Sequence, residues 1–284
     1  MIAAFILFLR EGLEASLIVG ILMAVLRQLG QTKHMLAVWM GVFLAVLASI
    51  ALGVILYLTA GAMQQFLLVF KAITFVVAVI ILTWMTFWMQ QHSRTMKKEM
   101  LEKASTATSG FALGLLAFST VGREGVETVI FSLAFIFQSD GFSFIIGGLA
   151  GTLAAVILGV LVYGGGYRLN YRIFFRVMGL LLIVLSAGLL SNAIESLQGL
   201  GWLPFTPALW STSDILSELD GPGYILHTFL GYSDNPTILQ VGGYVIYLLV
   251  AGVLFWRQTR RPEPRPSAHP SSETIQQSEA TQKA

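Results

Sequence analysis

Two short stretches of this sequence place charge where charge is costly. REGLE occupies residues 10–14 and REGVE residues 123–127, each inside an apolar run. Within each motif the two glutamates stand three apart and share one helix face, Glu11 with Glu14 and Glu124 with Glu127. The opening arginine stands four residues before the second glutamate. That is the spacing of a helical ion pair, Arg10 to Glu14 and Arg123 to Glu127. Gly12 and Gly125 lie between the glutamates. A glycine there permits either close approach of another helix or local unwinding that frees carbonyls as ligands.

A charge at the centre of a membrane helix costs about 2.5–3.5 kcal/mol, so six such groups cost roughly 15–20 kcal/mol if simply added. They must therefore face one another or water. Four carboxylates against two guanidiniums leave a formal charge of −2. A purely structural network would more naturally balance to zero, whereas an excess of negative charge suits a cation that enters and leaves. Carboxylate oxygens are hard ligands, fit for Mg, Ca, Mn or iron more than for copper(I). The competing reading is a pair of buried ion-pair clusters that fix helix packing.

Elements must carry these motifs to their depth. The chain has 284 residues, 56% hydrophobic and 11% charged, against roughly 25% charged in a soluble domain. It reads as an all-α polytopic membrane protein. The absence of cysteine excludes disulfides, thiolate metal sites and a cysteine nucleophile. The first apolar segment is too long for a signal peptide and reads as a first span. A span needs about 20 apolar residues. Seven segments qualify, near 2–26, 36–60, 66–90, 111–137, 143–165, 173–196 and 239–257.

Loop charge alternates with these spans. Arg27 and Lys33 follow the first; Arg94, Lys97, Lys98 and Lys103 follow the third; Arg168, Arg172 and Arg176 follow the fifth; Arg257, Arg260, Arg261, Arg265 and Lys283 follow the seventh. The intervening loops carry no Lys or Arg. Positive loops face the cytoplasm, which places the N-terminus outside and the C-terminus inside. Lys71, near the outer end of the third span, can snorkel to the interface; Arg10 and Arg123 are too deep. Both motifs then reach the middle of the bilayer on helices of opposite direction. Residues of about 2–90 and 111–196 form two inverted three-helix halves, with the span at 239–257 added, a plan that puts a substrate site at the midplane. Residues 1–258 make the membrane domain, and the proline-rich polar tail at 259–284 is expected to be a disordered cytoplasmic segment.

The doubled motif resembles the paired Arg-Glu-x-x-Glu signatures of the oxidase-dependent iron transporters, the iron permeases of bacteria and fungi. ILTWMTFWM at 81–89, YGGGYRLN at 163–170 and GYSDNPT at 231–237 are also similar to the bacterial EfeU-type ferrous iron permeases, so the likeness covers most of 1–257. The resemblance implies iron uptake across the cytoplasmic (inner) membrane. It assigns iron binding during passage to Glu11, Glu14, Glu124 and Glu127, with Arg10 and Arg123 orienting them. Iron is then substrate and no cofactor is permanently bound. The implied partners are a periplasmic haem peroxidase and an iron-binding companion. One departure is Lys71, in VFKAIT, where relatives tend to carry an acidic residue.

Other residues admit roles of less weight. Asp214, Glu218 and Asp220 lie in the long loop at 198–238, where STSDILSEL reads as a short capped helix with Asp214 and Glu218 on one face. They form either an outer capture site for iron or a solvated acidic surface. Glu195, near the outer end of the sixth span, is either a relay carboxylate or an interface residue. Met85 and Met89 read as core filler. An intramembrane protease needs a Ser–His pair, paired Asp or a motif such as H-E-x-x-H, and no His or Asp lies deep in a span. The expected function is an iron permease and not an enzyme. The alternatives are a transporter of another divalent cation such as manganese, or a non-transport membrane protein. Nothing points to nucleic acid, and the oligomeric state is open.

Overall fold

The computed structural model of the chain describes residues 1–28, 30–62, 66–92, 102, 109–137, 141–163, 171–218 and 221–259. Seven long helices appear among them: α1 (Ile2–Gln28), α2 (Met35–Ala62), α3 (Leu67–His92), α4 (Gly110–Ile136), α5 (Gly141–Tyr163), α6 (Tyr171–Gly199) and α8 (Ile238–Thr259), with a short α7 (Gly221–Leu230) before the last. Each long helix covers one expected span. Among the described residues the one β contact is an isolated bridge between Ala208 and Thr237. The tail beyond Thr259 and the 163–170 motif after Tyr163 lie outside the described residues, as do the loop residues 93–101 and 103–108.

Local chemistry sets the ends. Ser109 caps α4, accepting from the Ala112 N–H at 3.1 Å. Gly30, at φ 67°, closes α1: Gln31 donates to Leu26 and Gly30 to Arg27. Gly201, at φ 71°, closes α6 by the same pair of bonds, Trp202 to Leu197 and Gly201 to Gln198. This double bond around a left-handed residue satisfies carbonyls that the helix end leaves free.

Five helices are long and apolar enough to cross a membrane: those over 32–59, 67–90, 141–161, 176–199 and 238–259. The remaining two, α1 and α4, are 27 residues each and equally long. What sets them apart is three charges within five residues in their interior, the motif residues themselves. Large apolar side chains such as Phe43, Ile50, Ile55, Leu149, Leu153 and Val160 face outward from α2 and α5, as a helix bathed in lipid requires.

Helix directions follow from small-residue contacts. Gly147 of α5 faces Met1, Gly151 faces Leu9, and Gly159 faces Ser16, so α1 and α5 run parallel. On the other side Gly41 of α2 faces Gly114, Ala45 faces Gly122, and Gly53 faces Val129, so α2 and α4 also run parallel. The two sets are one set. Moving α1 onto α4 by 113 residues (Met1 to Gly114) and α2 onto α5 by 106 (Gly41 to Gly147) converts every contact in the first into its counterpart in the second. Between the sets, Leu22 and Leu26 cluster with Leu113 and Ala117, while Ala3 and Leu7 cluster with Phe131 and Phe135. Hence α1 and α4 are antiparallel. So are α3 and α6, where Gly199 meets Leu68 and Gly179 meets Gln90. Small residues let the backbones approach closely, which is what holds helices together where lipid is as apolar as leucine.

The connection between α6 and α8 differs from expectation in one respect. A short helix was expected over 211–219. The chain makes one turn there, with Ile215 and Leu216 both donating to the Thr212 carbonyl. It stops because Thr212 is tied to Asp234 and to the Tyr232 hydroxyl, which also donates to the Leu216 carbonyl. The helix forms later, as α7, opened by Gly221 at φ 56° and then Pro222, a residue suited to a first helical turn. The segment is not merely a surface loop. Gly231 touches Gly188, about 16 Å down α6 from its end at Gly199, and Phe229 packs on the main core cluster.

Candidate metal centre

The two motif segments lie in the middle of unbroken helices, so Gly12 and Gly125 serve close approach and not unwinding. A Cβ on Gly12 would stand 2.7 Å from that of Ala155 in α5, and one on Gly125 would run into Ser49 in α2. These contacts are equivalent under the same shift. Each motif is thereby pressed against the neighbour from the opposite half, and its glutamates turn toward the α1–α4 seam.

Three carboxylates converge there. One oxygen from each of Glu11, Glu14 and Glu124 lies within 4.8 Å of the other two, and all three side chains are buried. Oxygens held at about 2.0–2.6 Å from a single ion stand at most about 5.2 Å apart, so the three carboxylates are close enough to share one cation. Arg10 is buried beside them at 2% exposure. Its Nη1 donates to Glu11 Oε1 at 2.8 Å, and its Nε lies 3.0 Å from Glu14 Oε1. The i,i+4 pair expected from spacing is present, and the i,i+1 contact to Glu11 is additional.

The second motif is arranged differently. Arg123 Nε donates to Glu127 Oε1 at 2.9 Å, again i,i+4. This arginine is 39% exposed, and its guanidinium lies over the Trp88 ring at 4.8 Å and near Trp84 at 6.0 Å. Glu127 is buried too, yet it stands outside the group of three. Of the four expected glutamates, the structure thus gathers three and gives the fourth to Arg123.

Several polar atoms in this cluster lack hydrogen-bond partners: Glu11 Oε2, Glu124 Oε2, Glu127 Oε2 and Arg10 Nη2. A buried group left so costs about 1–3 kcal/mol, more when charged. Glu11 and Glu124 each bring one such oxygen to the group of three, and a transient cation would satisfy them. A cavity of about 620 Å³ leads to them, lined by Glu11, Glu124, Ser49, Thr128, Ser132 and Thr152 among mostly apolar side chains. Each α1 residue that lines it has its α4 counterpart under the 113-residue shift: Phe8 with Val121, Glu11 with Glu124, Gly12 with Gly125, Ala15 with Thr128.

Among the described residues the outer candidates do not form a second group of this kind. Glu195 accepts from Gln240 Nε2 at 3.4 Å. Glu218 accepts from the Asp234 N–H at 3.2 Å and lies 3.8 Å from His227. Because no helix forms at 211–218, Asp214 and Glu218 do not share a helix face. Asp220 lies outside the described residues. Lys71 Nζ stands 5.7 Å from the Phe137 ring centroid, consistent with an apolar stem and a charge held near the interface.

Two functional candidates were not singled out by sequence reasoning. Trp84 and Trp88 read only as part of a similar run, although their i,i+4 spacing on one helix signals an aromatic platform. Their ring centroids are 6.1 Å apart and nearly parallel.

The model of the iron permease FTR1 family matches residues 1–260 of this chain. Among curated relatives, the ferrous iron permease EfeU of Escherichia coli O157:H7 and that of Shigella sonnei are each 36% identical over 262 residues, covering 90% of this chain and 95% of theirs. The ferrous iron permease EfeU of Yersinia pestis is 35% identical over 267 residues, covering 92% of this chain and 95% of its own. No solved structure matches.

Proposed function

The chain belongs to the FTR1 iron permease family, and from that premise we propose that it carries iron across the cytoplasmic membrane through the carboxylate cluster between α1 and α4. The observation that carries this reading is the convergence of Glu11, Glu14 and Glu124 within 4.8 Å of one another, buried, with unsatisfied oxygens. Hard oxygen donors suit Fe²⁺ and Mn²⁺ alike; the family and the ferrous iron permeases it resembles favour iron. Transport and not catalysis is the role, since the related proteins are permeases.

The orientation is N-terminus outside, supported by the alternation of Lys and Arg between loops. The seven long helices are then seven spans. The matched contacts of α1–α5 and α4–α2 support an inverted repeat of α1–α3 and α4–α6, with α8 appended. Such repeats place the substrate between halves that exchange accessibility. Iron arrives from outside and is held by three carboxylates against one buried guanidinium. That set carries −2, enough to neutralise Fe²⁺; Fe³⁺ would require a further negative ligand such as hydroxide. Glu127 and Arg123 form a neutral pair beside it. A separate periplasmic haem peroxidase with an iron-binding companion is the partner system this role implies, and the outer loop around Glu218 faces where it would deliver iron.

Uptake into liposomes containing the purified protein tests the assignment. Saturable ⁵⁵Fe entry that excess Mn²⁺ fails to suppress is expected. Entry of ⁵⁴Mn with no entry of iron would move the protein to a different cation.

A further inference from the structure

The two motifs share a backbone frame but not a side-chain arrangement. In the first, Arg10 binds both of its glutamates, Glu11 at 2.8 Å and Glu14 at 3.0 Å. In the second, Arg123 pairs with Glu127 at 2.9 Å, and Glu124 keeps an oxygen without a partner. Sterics alone do not explain the difference. The Arg10–Glu11 contact demonstrates that an arginine in this motif reaches the glutamate next to it, and the two helices make matched glycine contacts under the internal repeat. Arg123 has an aromatic neighbour as well as its carboxylate. Trp88 and Trp84, stacked on each other on α3, lie under the Arg123 guanidinium.

We propose that Trp88, backed by Trp84, is a positioning residue for transport: it draws the Arg123 guanidinium onto its ring and away from Glu124, leaving Glu124 as an uncompensated carboxylate for the cation. The proposal rests on the site assigned above. An indole face attracts a guanidinium through its quadrupole, most strongly where water is scarce. Arg123, with one carboxylate instead of two, thereby gains a second partner that carries no charge. The site keeps three carboxylates against one guanidinium. Were Arg123 to reach Glu124 as Arg10 reaches Glu11, the site would lose a ligand to an internal ion pair. Trp88 itself touches no ion; it packs beside Met85, Met89 and Leu17 and acts through Arg123.

The test compares the wild type with Trp88→Leu, Trp88→Phe, Arg123→Gln and the double variant Trp88→Leu/Arg123→Gln, with Trp39→Leu, an outward-facing tryptophan on α2, as control. Each is reconstituted, and the KM and kcat of Fe²⁺ uptake are measured under anaerobic conditions, with Fe²⁺ binding by equilibrium dialysis. Trp88→Leu is expected to raise KM and Kd by about three- to tenfold, the range of one cation–π contact, with a smaller change in kcat. Trp88→Phe, which keeps an aromatic face, should recover most of the loss. In the Arg123→Gln background, removing Trp88 should change KM by less than about twofold, because no guanidinium is left to misplace. An equal KM shift with and without Arg123, a Trp88→Phe protein as impaired as Trp88→Leu, or a wild-type KM in Trp88→Leu would each overturn the proposal. The wild type, Trp88→Leu, Arg123→Gln and the double variant also give unfolding midpoints independent of iron. Additive midpoints would overturn the Trp88–Arg123 coupling even if the wild type moved no iron, whereas coupled midpoints without uptake would overturn the transport reading alone.

Discussion

Gly231, at the end of α7, rests against Gly188 in the middle of α6. The contact carries the segment before α8 deep into the bundle. It is possible because neither residue has a Cβ and because Gly231 adopts φ 68°, a conformation that costs other residues about 1–2 kcal/mol.

Gly231→Ala adds both strain and a clash with the Gly188 backbone. The expected outcome is a loss of roughly 2–4 kcal/mol of stability, read as a lowered unfolding midpoint in detergent and faster protease cutting between α6 and α8. An unchanged midpoint would mean that α7 does not pack at this depth.

The internal repeat predicts paired rescues. Gly12→Ala should impair the protein through Ala155, and Ala155→Gly should relieve it; Gly125→Ala should be relieved by Ser49→Gly in the same way. Each clash is expected to cost about 1–3 kcal/mol. Expression and unfolding midpoints of the four single and two double variants check this, and failure of both rescues would argue against the matched registers.

Arg10→Gln removes the buried cation shared by Glu11 and Glu14. Leaving buried charge unpaired costs about 3–5 kcal/mol, so this variant should be strongly destabilised. Adding Glu11→Gln removes one of the two orphaned carboxylates and should restore part of the loss. Thermal unfolding of the single and double variants measures it.

Topology is open to direct reading because the chain has no cysteine. Single cysteines at Gln31 and Thr206 should label from opposite sides with a membrane-impermeant maleimide, Thr206→Cys from outside and Gln31→Cys only after permeabilisation. The reverse pattern would invert the direction of transport.

Much of this was legible in the sequence. The seven hydrophobic runs each became a long helix, and the i,i+4 spacing of Arg10–Glu14 and Arg123–Glu127 became two ion pairs, because both depend on local periodicity. Partner choice was not legible. Arg123 spacing alone does not reveal that Trp88, on another helix, takes its guanidinium, nor that Glu127 is thereby set apart from Glu11, Glu14 and Glu124. The α7 segment escaped for a different reason. GPGYILHTFL is too short to span a membrane, and its depth comes from the tertiary contact of two glycines far apart in sequence. STSDILSEL carried helix-start residues, but Thr212 spends its hydroxyl on Tyr232 and Asp234 instead of prolonging a turn.

The most direct measurement is ⁵⁵Fe uptake by liposomes holding the wild type, Glu14→Gln, Glu124→Gln and, separately, Glu127→Gln, each verified as folded. The account predicts at least about a tenfold loss for Glu14→Gln and Glu124→Gln, the effect of about 1.4 kcal/mol or more in binding. Glu127→Gln should lose less, since that carboxylate pairs with Arg123 outside the group of three. Wild-type uptake in both Glu14→Gln and Glu124→Gln would contradict the account and return the cluster to a structural role.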